Sequence, residues 1–386
     1  MKIAAIETFA LHHTMPYTLA FARGSYSERE ALLVKITTDD GIVGWGESAL
    51  WGGPPSVSQV VIEKEIFPLI EGESPLRPEY LWEKVYQETY YHGRKGILLA
   101  CLSGVDIAIW DILGKAAGKP LWQIFGGFGR PVESYASSGY YRADRTMDDF
   151  ANEISGWIAR GFKGYKMKIG NTSEVIHAGV TGEIPLRRSF EDDIARIATA
   201  RAATGEGRLF VDANTSLDAA QAMRYADRLE ALDVGWFEEP VEPENIAGAV
   251  QVAERTRIPI AGFETETNKF TFKHLIDAGA MQIVQPDVVQ VGGLTEARKI
   301  AAYAQMCHLP FTSKNYSTVI SQAAALSLLY AVPNGRWFER EIDPLPWRDE
   351  IVTHPAITID QGFSMPSDAP GLGVEIDEAA LARWIR

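Results

Sequence analysis

Cysteine is nearly absent from this chain of 386 residues, which holds only Cys101 and Cys307. Both stand in apolar, helix-like text and suggest buried thiols in a reducing compartment. Positive charge is scarce as well. With 37 Lys and Arg against 51 Asp and Glu, the net charge is −14, which argues against nucleic acid and acidic membrane surfaces as partners. Long apolar runs are missing too. The nearest, ALSLLYAVP, falls well short of the roughly 18 residues of a membrane span. The opening MKIAAIETFALHH alternates like a strand and lacks the apolar core and cleavage site of a secretion signal. A cytoplasmic location is therefore expected. What is present, 46% hydrophobic and 23% charged residues, is ordinary for a globular protein. The length exceeds one typical core, so a large barrel with a smaller domain is the starting expectation.

Three acidic residues each close a short hydrophobic run in the second half: Asp212 (RLFVDAN), Glu238 (VGWFEEP) and Glu264 (IPIAGFE). They are evenly spaced, and that interval suits one strand, one helix and two short loops, so the pattern reads as consecutive βα units. In a barrel of parallel strands such ends converge on one mouth, where active sites lie. Three carboxylates there would repel by roughly 4 kcal/mol per pair at 4 Å and an effective dielectric near 20. A hard divalent cation is the simplest remedy, and an all-oxygen set favours Mg²⁺.

Organisation follows the same rhythm. Residues 2–11, 31–36 and 42–47 read as strands, the last two joined by a turn at Asp39-Asp40-Gly41. Helical patterns follow at 57–70, 80–90 and 97–117, the last stopped by Gly118 and Pro120. From about Val132, short β-branched runs alternate with helices, with strand ends expected near Ser138, Ile169, Asp212, Glu238, Phe263, Pro286, Ser313 and Glu339. The expectation is an α/β protein: a (β/α)₈-type barrel at 129–350, an α+β capping domain at 1–128, and a tail at 351–386 that packs back on the cap. Between Gly170 and Phe190 lies a long connection at the barrel mouth, which reads either as a lid or as a solvated insertion.

One strand reads GYKMKIG. Side chains two apart share a face, so Lys166 and Lys168 should project together. Adjacent ammoniums depress each other's pKa. Bringing a lysine from about 10.4 to about 7.5 takes about 4 kcal/mol and would make it a general base at neutral pH.

The runs KMK, VDAN, WFEEP, GFE, QPD and WFE, in that order, resemble the enolase superfamily, most closely its mandelate racemase and muconate lactonizing branches. The resemblance covers nearly the whole chain, including LSGVDIAIWDILGKAAGKPLWQIFGG and PGLGVEI. It implies a Lys or His base working with Mg²⁺, the known pattern of that superfamily. It also implies that Asp212, Glu238 and Glu264 bind the metal, that Lys168 is the base, and that Lys166 contacts the substrate carboxylate. Glu339 would donate a hydrogen bond to that carboxylate if protonated, or else pair with Arg340. Glu239 should point to the other face unless the strand has already ended. Asn214 either supports the ligand or substrate, or simply forms a turn. Arg23, Tyr26 and Trp51 fall in cap loops that the resemblance places over the mouth, where they would set substrate choice.

The pattern breaks at strand seven. Asp287 is present, but Lys314 stands where the racemase branch has a His, and none of the seven histidines fits instead. The muconate branch's second lysine is replaced by Gln290. Lys314 is read either as a catalytic group paired with Asp287 or as a structural ion pair. His177, Arg187 and Arg188 are further candidate donors. The expectation is a Mg²⁺-dependent dehydratase of an aldonate or aldarate acid sugar, through α-proton abstraction and an enediolate. A racemase, epimerase or cycloisomerase is the alternative. A Schiff-base aldolase on Lys168 and a ligand-binding barrel without turnover are the readings from other classes. The partner expected is a small carboxylate substrate, with neither nucleic acid nor membrane, and a symmetric homo-oligomer is implied by the resemblance.

Overall fold

The computed structural model describes residues 1–50, 52–172 and 186–386. Strands β1 (Ile3–Phe21), β2 (Gly24–Thr38) and β3 (Val43–Ser48) form an antiparallel sheet. The turn between β2 and β3 falls at the expected Asp39-Asp40-Gly41, with Gly41 at φ +87. β1 runs ten residues beyond its expected end at Leu11. Its pairing with β2 shifts register between Thr14 and Leu19. Pro16 lies in that gap and has no N–H for the ladder. The ladder resumes afterwards and carries the tip, Ala22-Arg23, out to the barrel, where Ala20 and Tyr141 exchange backbone hydrogen bonds of 3.0 and 2.9 Å.

Behind this sheet lies the helix Ile97–Ala117, with the expected bounds and a left-handed Gly118 as its C-cap. By length and composition alone this helix could cross a membrane, which corrects the reading that no such run exists. Its residues are buried almost all round, because it is the core of the capping domain. Glycines let β3 approach it: a Cβ at Gly46 would stand 1.9 Å from the Gly104 carbonyl oxygen, and one at Gly44 would stand 2.2 Å from that of Ala108. Gly46→Ala should therefore force sheet and helix apart and destabilise the fold by about 1–3 kcal/mol, read as a lower midpoint in urea or heat.

Eight parallel strands follow: β4 (Val132–Ser137), β5 (Gly164–Lys168), β6 (Arg208–Asp212), β7 (Val234–Glu238), β8 (Ile260–Gly262), β9 (Ile283–Val284), β10 (Phe311–Ser313) and β11 (Gly335–Glu341). Each pairs with the next, and β11 pairs with β4, so the (β/α)₈ barrel is closed and capped by the N-terminal α+β domain. Helices between the strands start on local signals such as the capping boxes Thr146/Asp149 and Asp218/Gln221. Inside, Tyr135, Phe210, Trp236 and Ile283 fill the barrel against Trp337. The Phe210 and Trp236 rings stack with centroids 3.6 Å apart. The barrel is thus a packed core, and it gives the polar mouth an apolar floor.

The tail touches both domains, where contact with the cap alone was expected. β12 (Ile357–Asp360) and β13 (Phe363–Pro366) form a hairpin, and β13 pairs with Val132 and Glu133 of β4. Those two residues precede the stretch of β4 that pairs with β11, so their backbone is open to a further strand. Beyond it, Leu372 N–H donates to Asp111 on the long cap helix at 2.8 Å. Cys101 is buried, and burial pushes its thiol up to about 12. Cys307 is exposed, contrary to expectation, because it caps the end of the helix Gly293–Met306, whose last turn faces outward.

Candidate active site

Lys168, Asp212 and Glu238 end β5, β6 and β7 and lie in register, Lys168 beside Asp212 and Asp212 beside Glu238. Glu264 arrives differently. β8 stops at Gly262, and φ values of +140 there and +70 at Phe263 turn the chain. The Glu264 N–H then donates to Glu239 Oε1 at 3.0 Å. A Cβ on Gly262 would meet Glu239 Cγ at 2.6 Å, so the glycine is what makes room for this turn.

The amines and acids interlock. Lys166 Nζ lies 2.6 Å from Glu238 Oε1 and 2.7 Å from Glu339 Oε1. Lys168 Nζ lies 2.6 Å from Asp212 Oδ2. Lys314 Nζ sits among all three expected metal ligands, 2.7 Å from Glu264 Oε2, 3.7 Å from Glu238 Oε1 and 3.9 Å from Asp212 Oδ2. All of these side chains are buried. Neighbours hold the acids in place: Asn214 donates from its backbone and side chain to Asp212 (2.8 and 3.2 Å). Trp236 Nε1 and Gln285 Nε2 donate to Glu238 Oε2 (3.1 and 3.2 Å).

Burial and mutual charge set the protonation. Burial raises Glu238, Asp212 and Glu339 raise it further, and it stands at about 7 although Lys166 and Lys314 oppose the shift. Glu239 is pushed well up by burial and by Glu264, Asp212 and Glu238, and Asp287 by burial and Glu264. Asp212 is held down by Lys168, Lys314 and Lys166 against the effect of burial. Six buried carboxyl groups, Asp212, Glu238, Glu239, Glu264, Asp287 and Glu339, thus share the mouth with three amines.

This arrangement departs from several expectations. Lys166 turns to acids below the site. Burial works to lower its pKa, yet Glu238 and Glu339 raise it overall, and the residue lies beneath the cavity described below rather than on its wall. Glu339 is not paired with Arg340. Burial raises it, but Lys166 and Lys314 outweigh that and hold it at about 2, while Arg340 bonds Gln322 and Asp349. Asp287 and Lys314 are joined through their backbones, but the Lys314 amine turns to Glu264, and Asp287 accepts from Val289 N–H at 3.0 Å. Asn214 meets both of its readings, at φ +46 in a turn and bonded to Asp212. Trp51 and His177, with the rest of 173–185, lie outside the described residues. Arg187 donates to the Thr172 carbonyl and Arg188 bridges to Thr172, at the base of that insertion.

A cavity of about 800 Å³ opens above the acids. Lys168, Asn214, Glu264, Asp287 and Lys314 form its floor, while Arg23 and Tyr26 reach it from the cap. Several wall residues were not named as site candidates, Glu239, Tyr140 and Tyr316 among them. Glu239 lines the cavity because β7 ends at Glu238 and Glu239 turns to φ +44 before Pro240; the Glu-Glu-Pro run held that signal. Tyr140 and Tyr316 also line it, packed on Tyr26, and no periodicity marked them.

The donor set fits a hard cation. Among the described residues no three ligating side chains already stand in ready coordination spacing. The reason is on hand, because the Lys314 ammonium occupies the point on which the three carboxylates converge. A cation already sits there against carboxylate oxygens, the donor type that suits Mg²⁺.

A capped (β/α)₈ barrel with acids and amines at the C-terminal mouth is the build of a barrel enzyme. The profile described as "Enolase C-terminal domain-like" matches residues 149–380, and that of the mandelate racemase / muconate lactonizing enzyme N-terminal domain matches residues 5–126. The chain is similar to the arabinonate dehydratase of Saccharolobus solfataricus, with 35% identity over 382 residues, 95% of this chain and 97% of that one. It is also similar to the D-galactarolactone cycloisomerase of Agrobacterium fabrum, with 33% identity over 396 residues, 100% of this chain and 99% of that one. The crystal structure of a racemase from Streptomyces coelicolor A3(2) with bound magnesium matches at a TM-score of 0.88 and 26% identity, covering all of both chains. The chain belongs to the enolase superfamily, in its mandelate racemase and muconate lactonizing group.

Proposed function

We propose that this protein is a Mg²⁺-dependent dehydratase of a hydroxylated carboxylic acid, an acid sugar of the aldonate or aldarate kind. One observation carries the reading: two buried amines, Lys168 and Lys314, line the floor of one cavity and are held by the buried carboxylates Asp212, Glu238 and Glu264. Kinship to an arabinonate dehydratase supports it.

In this reading Asp212, Glu238 and Glu264 hold the Mg²⁺, which when bound neutralises charge developing on the substrate carboxylate. Lys168, as a free amine, takes the proton from the carbon next to the carboxylate, and the C–H electron pair moves into the carboxylate to form the enediolate. As that pair returns, the C–O bond at the next carbon breaks, and Lys314 supplies the proton with which the hydroxyl leaves as water. The enol that remains takes the Lys168 proton on carbon and returns its O–H proton to Lys314 through solvent, giving a 2-keto acid. Asn214 holds Asp212, and the Lys166–Glu339 pair holds Glu238 from below.

Incubating the protein and Mg²⁺ with a panel of acid sugars should yield 2-keto acid. If none forms while the α-proton exchanges with D₂O, the isomerase reading replaces this one. That second reading has its own support, since β5 and β10 lie three strand steps apart around the closed sheet, and a 1,1-proton transfer wants groups on opposed faces.

Lys314→Ala has a distinctive expectation. The ammonium competes for the cation position, so its removal should tighten Mg²⁺ binding roughly tenfold while turnover falls about 10²-fold or more. Calorimetry and steady-state rates check the two. An unchanged rate would relegate Lys314 to structure.

A further inference from the structure

Lys314 is the first residue after β10, and four residues carry the chain from there to the helix Val319–Ala331. Each of the four is held by a side chain from elsewhere in the fold. Asn315 N–H donates to Glu339 Oε2 at 3.0 Å. The Tyr316 carbonyl accepts from Arg29, and the Ser317 carbonyl accepts from Arg348 Nε at 3.2 Å. Glu47 takes the last of them and reaches further. Its Oε1 accepts from Thr318 N–H at 3.3 Å, and its Oε2 accepts from the Thr318 hydroxyl at 2.5 Å and from Ser321 N–H at 3.0 Å. Ser317 adds a side-chain hydrogen bond. Glu47 is buried and belongs to β3, so a carboxylate of the cap closes the N-terminus of a barrel helix. Negative charge is favoured at that end, where N–H groups lack partners within the helix.

We infer that Glu47 is a positioning residue for Lys314: from the cap it fixes the loop 315–318 and so aims the amine at the three carboxylates. This rests on the role of Lys314 in the dehydratase reading above and deepens it. Glu47 stands behind the cavity, whose wall is formed there by Ser48 and Ala49, so it acts only through what it holds. Its own support is rigid. β3 lies against the cap helix at Gly44 and Gly46 with no room for a Cβ. Ala49 N–H also donates to the Val289 carbonyl at 2.9 Å, which grips the loop after β9. The upstream side of Lys314 is pinned by its backbone bridge to Asp287, so freedom would enter from the downstream side. A proton donor misplaced by about 1 Å loses about a hundredfold in rate, and slack in this anchor would put Lys314 at that risk.

The test is a double-mutant cycle between Glu47→Gln and Lys314→Ala in the full chain with Mg²⁺. The amide must turn its NH₂ toward donors at one of the two oxygens, so part of the anchor is lost at constant volume. Glu47→Gln alone should lower kcat about tenfold or more and move KM by less than about threefold. It should also tighten Mg²⁺ binding about threefold, because an amine that leaves the carboxylates stops competing with the metal. In the Lys314→Ala background the same substitution should change kcat and Mg²⁺ affinity by less than about twofold. Equal effects in both backgrounds, or an unchanged kcat in the single variant, overturn the inference and leave the dehydratase reading standing. If no acid sugar gives 2-keto acid, that reading falls, and calorimetry of Mg²⁺ across the same cycle decides. Tightening that vanishes with Lys314 then supports the inference, and equal or absent tightening overturns it. Should Glu47→Gln not fold, Thr318→Val carries the cycle from the other partner, because it deletes the hydroxyl bonded to Glu47 Oε2. The same pattern is expected there, and Thr318→Ser should behave as the parent.

Discussion

Replacing Lys168 with alanine is expected to abolish exchange of the substrate α-proton with solvent, by about 10³-fold or more, while Mg²⁺ still binds. The amine lies 2.6 Å from Asp212 Oδ2 and lines the cavity, so it can reach both the metal-side acids and a bound acid's α-carbon. Its loss leaves Asp212 supported by both Asn214 donors. It also removes a positive charge beside the cation position, so metal affinity should hold or rise. Proton NMR in D₂O with Mg²⁺ reads the exchange, and calorimetry reads the metal. Substantial exchange in the variant would remove Lys168 from the role of base. Loss of Mg²⁺ binding instead would mean that the lysine shapes the metal site and that the exchange result says nothing about proton transfer.

Much of this was legible in the residues, for physical reasons. The barrel strands showed because each is a short apolar run between helical stretches, and six of the eight expected ends fall within one residue of the observed ones: Ser138, Ile169, Asp212, Glu238, Phe263 and Ser313. β9 was placed two residues too long, at Pro286, although only Ile283 and Val284 pair. β1 was placed too short because Pro16 breaks the alternation, and only tertiary contact with Tyr141 shows why the hairpin continues. The acids announced themselves by spacing. Their counter-ions did not: that Lys166 bridges Glu238 and Glu339, and that Lys314 leaves Asp287 for Glu264, depends on which side chains meet across a closed barrel. Strand pattern gives height and face, but cannot choose among several acids within reach of one long amine.

Glu238→Gln should weaken Mg²⁺ binding roughly a hundredfold or more and reduce turnover to background. Glu238 is the hub of the site. Oε1 takes Lys166 at 2.6 Å, and Oε2 takes Trp236 and Gln285 at 3.1 and 3.2 Å. The amide keeps the volume but not the acceptors, because its NH₂ must face either an ammonium or two N–H donors. Breaking a buried pair of this kind costs about 3–5 kcal/mol, so stability falls as well and the loss of metal alone would be ambiguous. Glu339→Gln separates the two effects. It breaks the other half of the Lys166 bridge, along with the bonds from Ser137 and Asn315, at a carboxylate not expected to hold the metal. The Glu339 variant should therefore lose comparable stability in urea yet keep Mg²⁺ affinity within a few-fold. Equal metal binding in both variants, with both folded, would take Glu238 out of the ligand set and the three-carboxylate site with it.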